Sequence, residues 1–416
     1  MKIGKLGIAP TFHIDYPRES LAALVTLVIY AVGATIGSFA GGSWGGLGIG
    51  CGLILFAICY AKDRALPLPD PALTYLALAA LFVMAMLNFH SSNPHISWHQ
   101  WLSLATIFIP LLLLSNSEIA ARAWHPSFVP VIFIALIAAA LTLGTDLSLY
   151  TPLLYAVEGP SAAATDYNRG MSGLVLLSFP VMAGLMRGNF PLGDNKRIWM
   201  LLFFVVILLF PAGLTESRAS KLALLAGLAV TCAATFLPIL TRRALAVILI
   251  VCIAWPFAVQ KFFLAHYDLL ERFPPSWRAR MEIWDYMSYR IGERPFFGWG
   301  LGTAHTLPFQ EPHGAQYLLT KIPAAHAHNA VVELWVELGV PGLMLGVLFG
   351  LLMLRKTANL DARIAPFAVG AWAAALCLSL CAYNLWTDAF WGLIAMTAFA
   401  FFMMSEARQT HKELTV

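Results

Sequence analysis

Long apolar stretches alternate with short polar ones along most of the chain from about residue 20 onward. Many of these stretches approach the ~20 residues that a helix needs to cross ~30 Å of hydrocarbon. The pattern therefore predicts an all-α polytopic membrane protein with about 12 transmembrane helices. We expect these helices near residues 20–39, 45–61, 73–89, 98–114, 127–144, 170–186, 197–214, 222–239, 244–262, 327–354, 366–383 and 385–404.

The composition agrees with a membrane protein and excludes several other classes. The chain is 59% hydrophobic and only 12% charged, far more apolar than a soluble domain. Its net charge of +4 includes no basic patch, so no nucleic-acid partner is predicted. All six cysteines lie in apolar stretches, so no disulfide is predicted. The fourth stretch, 98–114, is short and has polar neighbours, which leaves a re-entrant helix as the alternative there.

Lysine and arginine collect in alternate loops, which indicates the orientation, because short cytoplasmic loops are enriched in them. Both termini are predicted to be cytoplasmic. No removable signal peptide is expected, since the first apolar stretch is full length and is not followed by a small-residue cleavage site. The short outer loops keep only Arg169, Arg218 and Lys221. We expect helices one to nine over 1–263, a larger outer loop carrying short helices over 264–326, and helices ten to twelve over 327–416.

The large outer loop is polar and aromatic, and it contains one predicted helix, Ser276 to Glu293. Apolar residues recur there at spacings of three and four and form one stripe. Arg280 falls inside this stripe, so it is expected to face packed protein or the membrane surface. Arg278 and Arg290 fall away from the stripe, and Arg278 is expected to be solvated.

The segment from His326 to Asn329 is predicted to begin the tenth helix at the outer surface. An imidazole in the first turn of a helix feels the positive end of the helix dipole, which favours the neutral form that a general base requires. Gly339 and Pro341 are expected to weaken or bend the helix midway. The alternative is that His328 only caps the helix or packs at the interface.

The tight outer turn at 214–221 carries Arg218 and Lys221 on the side that the positive-inside rule disfavours. A ligand or partner is therefore expected, and arginine suits a phosphate group in particular. The alternative is an Arg218 side chain that reaches lipid headgroups or pairs with Glu216.

Arg169 poses the same question at the outer end of the sixth helix. Asp166 precedes it by three residues, so the two side chains are expected to be neighbours on a helix. A simple pair between them is the alternative to a ligand-binding role.

Together these segments resemble the O-antigen ligase and O-antigen polymerase superfamily of bacterial cell-envelope glycan enzymes. One motif of that family is a histidine followed by asparagine, serine or glutamine. After nine more residues comes a glycine, and after two more residues comes a glycine, threonine or tyrosine. An upstream arginine stands four residues before a tryptophan, ahead of an acidic-basic-proline turn and a glycine-rich loop, and a Ser-Arg turn precedes both. The corresponding residues here are His328, Asn329, Gly339 and Gly342; Arg280, Trp284, Glu293-Arg294-Pro295 and Gly298 to Gly302; and Ser217 with Arg218.

The resemblance implies an enzyme of the bacterial inner membrane, surrounded by membrane lipids, with an active site facing the periplasm. Such an enzyme takes a glycan from undecaprenyl diphosphate and passes it to a hydroxyl acceptor, which for the ligase is the lipid A core. His328 would be the general base, and Arg218, Arg280 and Arg169 would bind the diphosphate. Asn329 would orient the imidazole or the acceptor, and His326 would help to hold the acceptor. No cofactor or metal is expected, because no outer loop contains an Asp-x-Asp motif.

Other interpretations remain open at this point. An O-antigen polymerase of the same superfamily would use similar residues on the growing glycan, and a protein O-oligosaccharyltransferase is a further relative. A twelve-helix transporter is the non-enzyme alternative suggested by helix number alone. A metal site built from His305, His313, His326 and His328 is also conceivable, although their spacing matches no compact ligand set.

Overall fold

The computed structural model describes residues 21–37, 39–64, 66–149, 163–188, 193–215, 217–270, 272–307, 317 and 326–413. The described residues form helices joined by turns, and no strand occurs among them, which confirms the predicted all-α fold. The helices are α1 (Leu21–Ile36), α2 (Trp44–Asp63), α3 (Pro71–Asn88), α4 (Pro94–Leu113), α5 (Ser117–Ala123), α6 (Phe128–Leu149), α7 (Ala163–Arg187), α8 (Asp194–Leu214), α9 (Arg218–Phe236), α10 (Pro238–Val251), α11 (Trp255–Ala265), α12 (Tyr267–Leu270), α13 (Pro275–Glu293), α14 (Ala330–Lys356), α15 (Ala365–Cys381) and α16 (Asp388–Glu413).

Each predicted apolar stretch coincides with one helix or one bent pair of helices. Among the described residues, nine helices are long and apolar enough to cross a membrane, and the pair α10 and α11 makes ten. Helices α1 and α15 are apolar but shorter. The chain is thus a multi-pass membrane protein.

The interrupted span is the ninth stretch and not the fourth. Helix α4 runs for 20 residues, whereas α10 and α11 are bent by 57° at a short break. Pro256 lies in the first turn of α11. Because proline has no backbone N–H, it begins this new helix more readily than it would continue α10.

Helix α7 lies at the centre of the bundle, and 89% of its spanning segment is buried. The outward faces of other helices expose large apolar side chains, including Phe82 of α3, Phe203 of α8 and Ile239 of α10. Lipid is the solvent that these side chains require. The core therefore forms around α7, and its neighbours hold the ends of α7 in place.

Helices α9 and α15 cross at a point where two glycines face each other. A Cβ atom on Gly370 would collide with Thr231, and one on Gly227 would collide with Phe179 of α7. Small residues of this kind let helix backbones approach closely in a membrane. The contact fixes the start of α9 and the end of α15 beside α7, at the same end of the bundle.

A helical cap lies over that end. Helix α13 confirms the helix predicted over 276–293, and its Met281, Trp284 and Met287 pack against Val332 and Val336 of α14. The hydrophobic stripe of the loop is therefore buried against the segment that carries the histidines.

The expectation that Arg290 would point away from the packed face is wrong. Arg290 is 1% exposed. Its guanidinium lies 4.0 Å from the ring centroid of Trp299 and forms an ion pair with Glu293 at 2.8 Å. Trp299, in the loop that directly follows α13, covers this side of the helix, and a helical wheel contains no information about a partner outside the helix.

Candidate active site

The site begins with a break in α14, which was predicted midway along this helix. Gly339 has φ +64° and ψ −156°, a conformation that side-chain-bearing residues rarely adopt. Pro341 has no N–H to donate to the carbonyl of Glu337, so the break leaves backbone groups without helical partners. The half of α14 that follows His328 is thereby set apart from the lipid-spanning half.

The glycine-rich loop supplies the missing hydrogen bonds. Trp299 N donates to Val336 O at 2.9 Å, and Gly300 N donates to Glu337 O at 2.9 Å. In return, Val340 N donates to Pro295 O at 3.2 Å. The turn at Pro295 and the glycine-rich loop therefore form hydrogen bonds with the backbone at the break of α14. This contact explains why the motif combines these segments with the glycine of α14.

The histidine segment forms a tight bend before α14 and does not lie within its first turn. The helix begins at Ala330, with Asn329 as its N-cap residue. His328 has φ +51°, a left-handed conformation that is uncommon for residues other than glycine. The predicted start of this helix at 327 was too early, because the bend around His328 interrupts the helical backbone.

Asn329 is fully engaged in holding this bend. Its Oδ1 accepts hydrogen bonds from Val331 N at 3.0 Å and Val332 N at 3.2 Å. Its Nδ2 donates to Leu380 O of α15 at 3.2 Å, and the residue is 1% exposed. Asn329 therefore caps α14 and ties it to the end of α15.

Trp284 fixes the bend from the cap side. Its indole Nε1 donates to the carbonyl oxygen of Ala327 at 2.9 Å, and both residues are buried. Ala327 stands between His326 and His328, so this one bond sets the position of both imidazoles. The tryptophan of the Arg280–Trp284 motif is thus a positioning residue for the histidine bend.

The two histidines contact each other and are held neutral. Their ring centroids are 3.9 Å apart, and His328 N donates to His326 Nδ1 at 3.2 Å. Burial, the neighbouring His326 and Arg280 lower the pKa of His328 to about 3, although a backbone contact with Ala382 opposes this. Burial, Arg169 and Arg280 lower the pKa of His326 to about 4. Both imidazoles are therefore neutral near pH 7.

The three arginines predicted to bind a diphosphate are brought to this histidine pair. Arg169 and Arg280 both lie near enough to His326 to lower its pKa. Burial lowers the pKa of Arg280, and the nearby Arg218 lowers it further. Among the described residues, none of these three guanidinium groups forms an ion pair with a carboxylate. Such a concentration of like charge favours an anionic ligand.

A network of hydroxyl groups joins the two segments that carry Arg169 and Arg218. Ser217 is the N-cap of α9 and accepts a hydrogen bond from Ser220 N at 3.2 Å. Thr215 Oγ1 donates to Asn168 Oδ1 of α7 at 3.0 Å, which joins the Ser-Arg turn to the residue before Arg169. The positive end of the α9 dipole lies at this turn, so the backbone adds to the charge of the arginines.

Other residues named from the sequence lie away from this cluster or outside the described residues. Arg278 is partly buried and lies beside Tyr267 of the cap. The positions of His313 and Glu216, and the side chain of Asp166, lie outside the described part of the chain. Within that part, no three His, Cys, Asp or Glu side chains gather as metal ligands would.

Two buried carboxylates were missed by the sequence reasoning. Glu333 and Glu337 are 1% and 2% exposed and lie one turn apart on α14. Glu333 Oε2 accepts from Leu385 N at 3.1 Å, and Glu337 Oε1 accepts from Ala304 N at 3.0 Å. The signal was visible, because acidic residues within an apolar span are rare and usually functional.

The fold and the site define a polytopic membrane protein with a basic, histidine-bearing site at one end of its helix bundle. Residues 202–347 match the family model described as O-antigen ligase, and this region contains Arg218, Arg280, His326 and His328. A Rickettsia conorii protein provisionally named a polysaccharide ligase is 22% identical over 218 residues, which are 49% of this chain and 52% of that protein. The chain thus spans about half the length of this curated relative. These matches confirm the resemblance found in the sequence motifs: residues 202–347 are similar to the O-antigen ligase family.

Proposed function

We propose that this protein transfers a glycan from undecaprenyl diphosphate to a hydroxyl group of the lipid A core, at the periplasmic face of the bacterial inner membrane. The observation that carries the proposal is the meeting of three guanidinium groups with a pair of neutral imidazoles. The arginines suit the diphosphate of the donor, and a neutral imidazole suits removal of a proton from the acceptor.

His328 is the proposed general base. Its Nδ1 is buried and has no hydrogen-bond partner among the residues that the structure describes, whereas the ring also contacts the backbone of Ala382. This nitrogen takes the proton of the acceptor hydroxyl as the oxygen attacks the anomeric carbon. The bond from that carbon to the diphosphate breaks, its electron pair leaves with the diphosphate, and the configuration inverts.

Arg169, Arg218 and Arg280 are the proposed diphosphate ligands. A departing diphosphate gains negative charge, and fixed guanidinium groups stabilise this charge without reorganisation. The Nε of Arg280 is buried without a hydrogen-bond partner, so a phosphate oxygen there would satisfy it. We therefore expect transfer to need no divalent metal.

His326 and Asn329 are assigned different supporting roles. His326 accepts the backbone N–H of His328, and its imidazole lies against the base, so it holds the base and contacts the acceptor. The cap and tether made by Asn329 support a role in holding the histidine bend. The sequence also allowed a role for Asn329 in orienting the acceptor. Because both ends of its amide already form hydrogen bonds within the protein, we assign it no such role.

A polymerase is the second candidate, because the same donor site would serve a reaction in which another carrier-linked glycan is the acceptor. A protein O-oligosaccharyltransferase would differ in the same way. A transporter would require ion-coupling or substrate groups near the middle of the membrane. The arginine and histidine cluster instead lies at helix ends and in the cap, which favours chemistry at the surface.

Product analysis separates these functions. Purified protein in lipid nanodiscs is incubated with carrier-linked glycan, with and without lipid A core. The ligase proposal predicts glycan attached to lipid A core, and no product without that acceptor. Longer carrier-linked glycan formed without lipid A core would instead identify a polymerase, and the absence of any transfer product would contradict both enzyme assignments.

A further inference from the structure

A polar pocket of about 310 Å³ lies along the first turns of α14, the helix that follows the histidine bend, and takes no part in the proposed chemistry. Its lining includes Gln100 of α4, His305, Glu333 and Glu337 of α14, and Trp386. The arginines come from α7, α9 and α13, so the pocket and the diphosphate site share no arginine. The turn between α15 and α16 separates them: Ala382 contacts His328, whereas Asn384 and Trp386 line the pocket.

The walls of this pocket are braced by hydrogen bonds. Gln100 Nε2 donates to Trp386 O at 3.2 Å, and Trp386 N donates to Asn384 Oδ1 at 2.7 Å. Glu333 accepts the N–H of Leu385 at 3.1 Å. These contacts hold the polar groups in fixed positions before any ligand arrives, as a built site requires.

One strong donor in the pocket lacks a full hydrogen bond. Trp386 is 7% exposed, and its indole Nε1 makes no hydrogen bond of normal geometry within the described part of the chain, although the carboxyl group of Glu337 lies near it. A buried N–H without a full hydrogen bond costs about 1–3 kcal/mol, so a ligand oxygen at this point would be favoured. This donor and the neighbouring carboxyl group together point to an occupant of the pocket.

The lining chemistry selects the class of ligand. Carboxylate and amide groups beside a tryptophan ring can exchange hydrogen bonds with neighbouring hydroxyl groups while the ring covers an apolar face. Among the described residues that line the pocket there is no lysine or arginine, so nothing in this lining would neutralise the charge of a phosphate or carboxylate ligand. The volume lies at the lower end of the ~300–1,000 Å³ typical of small-molecule sites, which suits a small polar unit such as a sugar ring.

We infer that this pocket is the subsite for an uncharged sugar of the acceptor, held while the next hydroxyl group reaches His328. The inference rests on the proposed transferase function. The reacting sugar of the donor is bonded to the diphosphate and must lie on the arginine side. In an inverting reaction the acceptor approaches from the other face of the anomeric carbon, and the pocket lies along the helix that follows the base, with no lysine or arginine among its described lining residues.

Binding measurements without donor test this assignment directly. The probe is core oligosaccharide released from lipid A, titrated into purified protein in nanodiscs for the wild type and for Trp386→Phe, His305→Ala and Gln100→Ala. We expect each variant to weaken core oligosaccharide binding about tenfold, as one lost hydrogen bond to a buried donor or acceptor would. His99→Ala is the control, because His99 is an exposed neighbour of Gln100 outside the pocket lining, and it should bind normally.

Transfer kinetics provide a second readout. The same variants should raise KM for the lipid A core acceptor and leave KM for the carrier-linked donor unchanged. Unchanged core oligosaccharide binding in all three pocket variants, or a selective loss of donor binding, would overturn the inference even if transfer proceeds normally. Conversely, pocket-dependent oligosaccharide binding in a protein that shows no transfer would uphold the subsite and contradict the proposed function.

Discussion

His328 combines an uncommon backbone conformation with an imidazole that its surroundings keep neutral. A histidine in water has a pKa of ~6.5. The sequence alone indicates only that the pKa of His328 in the free protein lies at or below that value. Burial and the nearby cations lower it much further, to about 3. The proposed base is therefore in its neutral form over the whole physiological pH range.

This neutral state can be tested by titration. In isotope-labelled protein without donor, the NMR signals of His328 should remain those of a neutral ring from pH 8 to pH 5, because the lowered pKa delays protonation until the pH falls toward 3. Addition of undecaprenyl diphosphate should raise the midpoint, since the diphosphate charge favours imidazolium. The His328→Ala variant assigns the signals. A midpoint near 6.5 in the free protein would contradict the buried, cation-flanked geometry.

The arginines allow a comparison between two neighbours on α13. Arg280→Lys should reduce transfer about tenfold or more, because an ammonium group cannot reproduce the paired N–H contacts of guanidinium to phosphate. Arg218→Lys should behave in the same way. Arg278→Lys is the matched control and should be nearly neutral, since Arg278 lies beside Tyr267 in the cap. The measurement is the transfer rate at saturating acceptor. A larger loss of rate in Arg278→Lys than in Arg280→Lys would contradict the assignment of Arg280.

At the scale of the helices, the site depends on the break in α14 and on the cap that closes over it. The periodic pattern predicted the helix of the cap, and Gly339 and Pro341 predicted the bend. The partner that fills the break was beyond prediction, because Trp299 and Gly300 are some forty residues away along the chain. Arg290 was misjudged because its burial depends on Trp299, which lies in the loop after α13 and is not part of the helical pattern.

Gly339→Ala tests the break. A Cβ atom there would collide with the carbonyl oxygen of Phe296, and the positive φ is itself unfavourable for alanine. We expect a loss of about 1–3 kcal/mol in the free energy of unfolding, together with a loss of transfer. The control is Gly46→Ala in α2, where a Cβ atom would meet nothing within 4 Å and thermal unfolding in detergent should change little. Equal thermal stability of the two variants would show that the break carries no strain.

Trp284→Phe tests the cap. The change keeps an aromatic ring but removes the bond to Ala327 O, at a cost of about 0.5–1.5 kcal/mol in stability. Transfer should fall further than stability does, mainly in kcat, because both histidines lose a point of attachment. Trp372→Phe removes a similar indole bond, to Gly350 O at 3.0 Å, and should leave kcat unchanged. Equal effects of the two substitutions on kcat would reduce Trp284 to a structural role.

Over the whole molecule, segments that are distant in sequence converge because the helices alternate in direction. Arg169, Arg218, Arg280 and His328 were each selected from separate segments, and the structure brings them to one end of the bundle. Topology made this meeting predictable. Glu333 and Glu337 were visible in the sequence as acidic residues within an apolar stretch, but their contacts to Leu385 and Ala304 depend on turns whose paths no local pattern describes.

The central claim is transfer by a histidine base with fixed guanidinium groups in place of a metal. The measurement is the rate of glycan transfer from undecaprenyl diphosphate to lipid A core in excess EDTA, for the wild type and for His328→Ala. We expect undiminished wild-type transfer, and a loss of about 10²-fold or more in the variant, whose thermal unfolding in detergent should match the wild type. Near-normal transfer by His328→Ala, or wild-type transfer that stops in EDTA and returns with magnesium or manganese, would contradict the account.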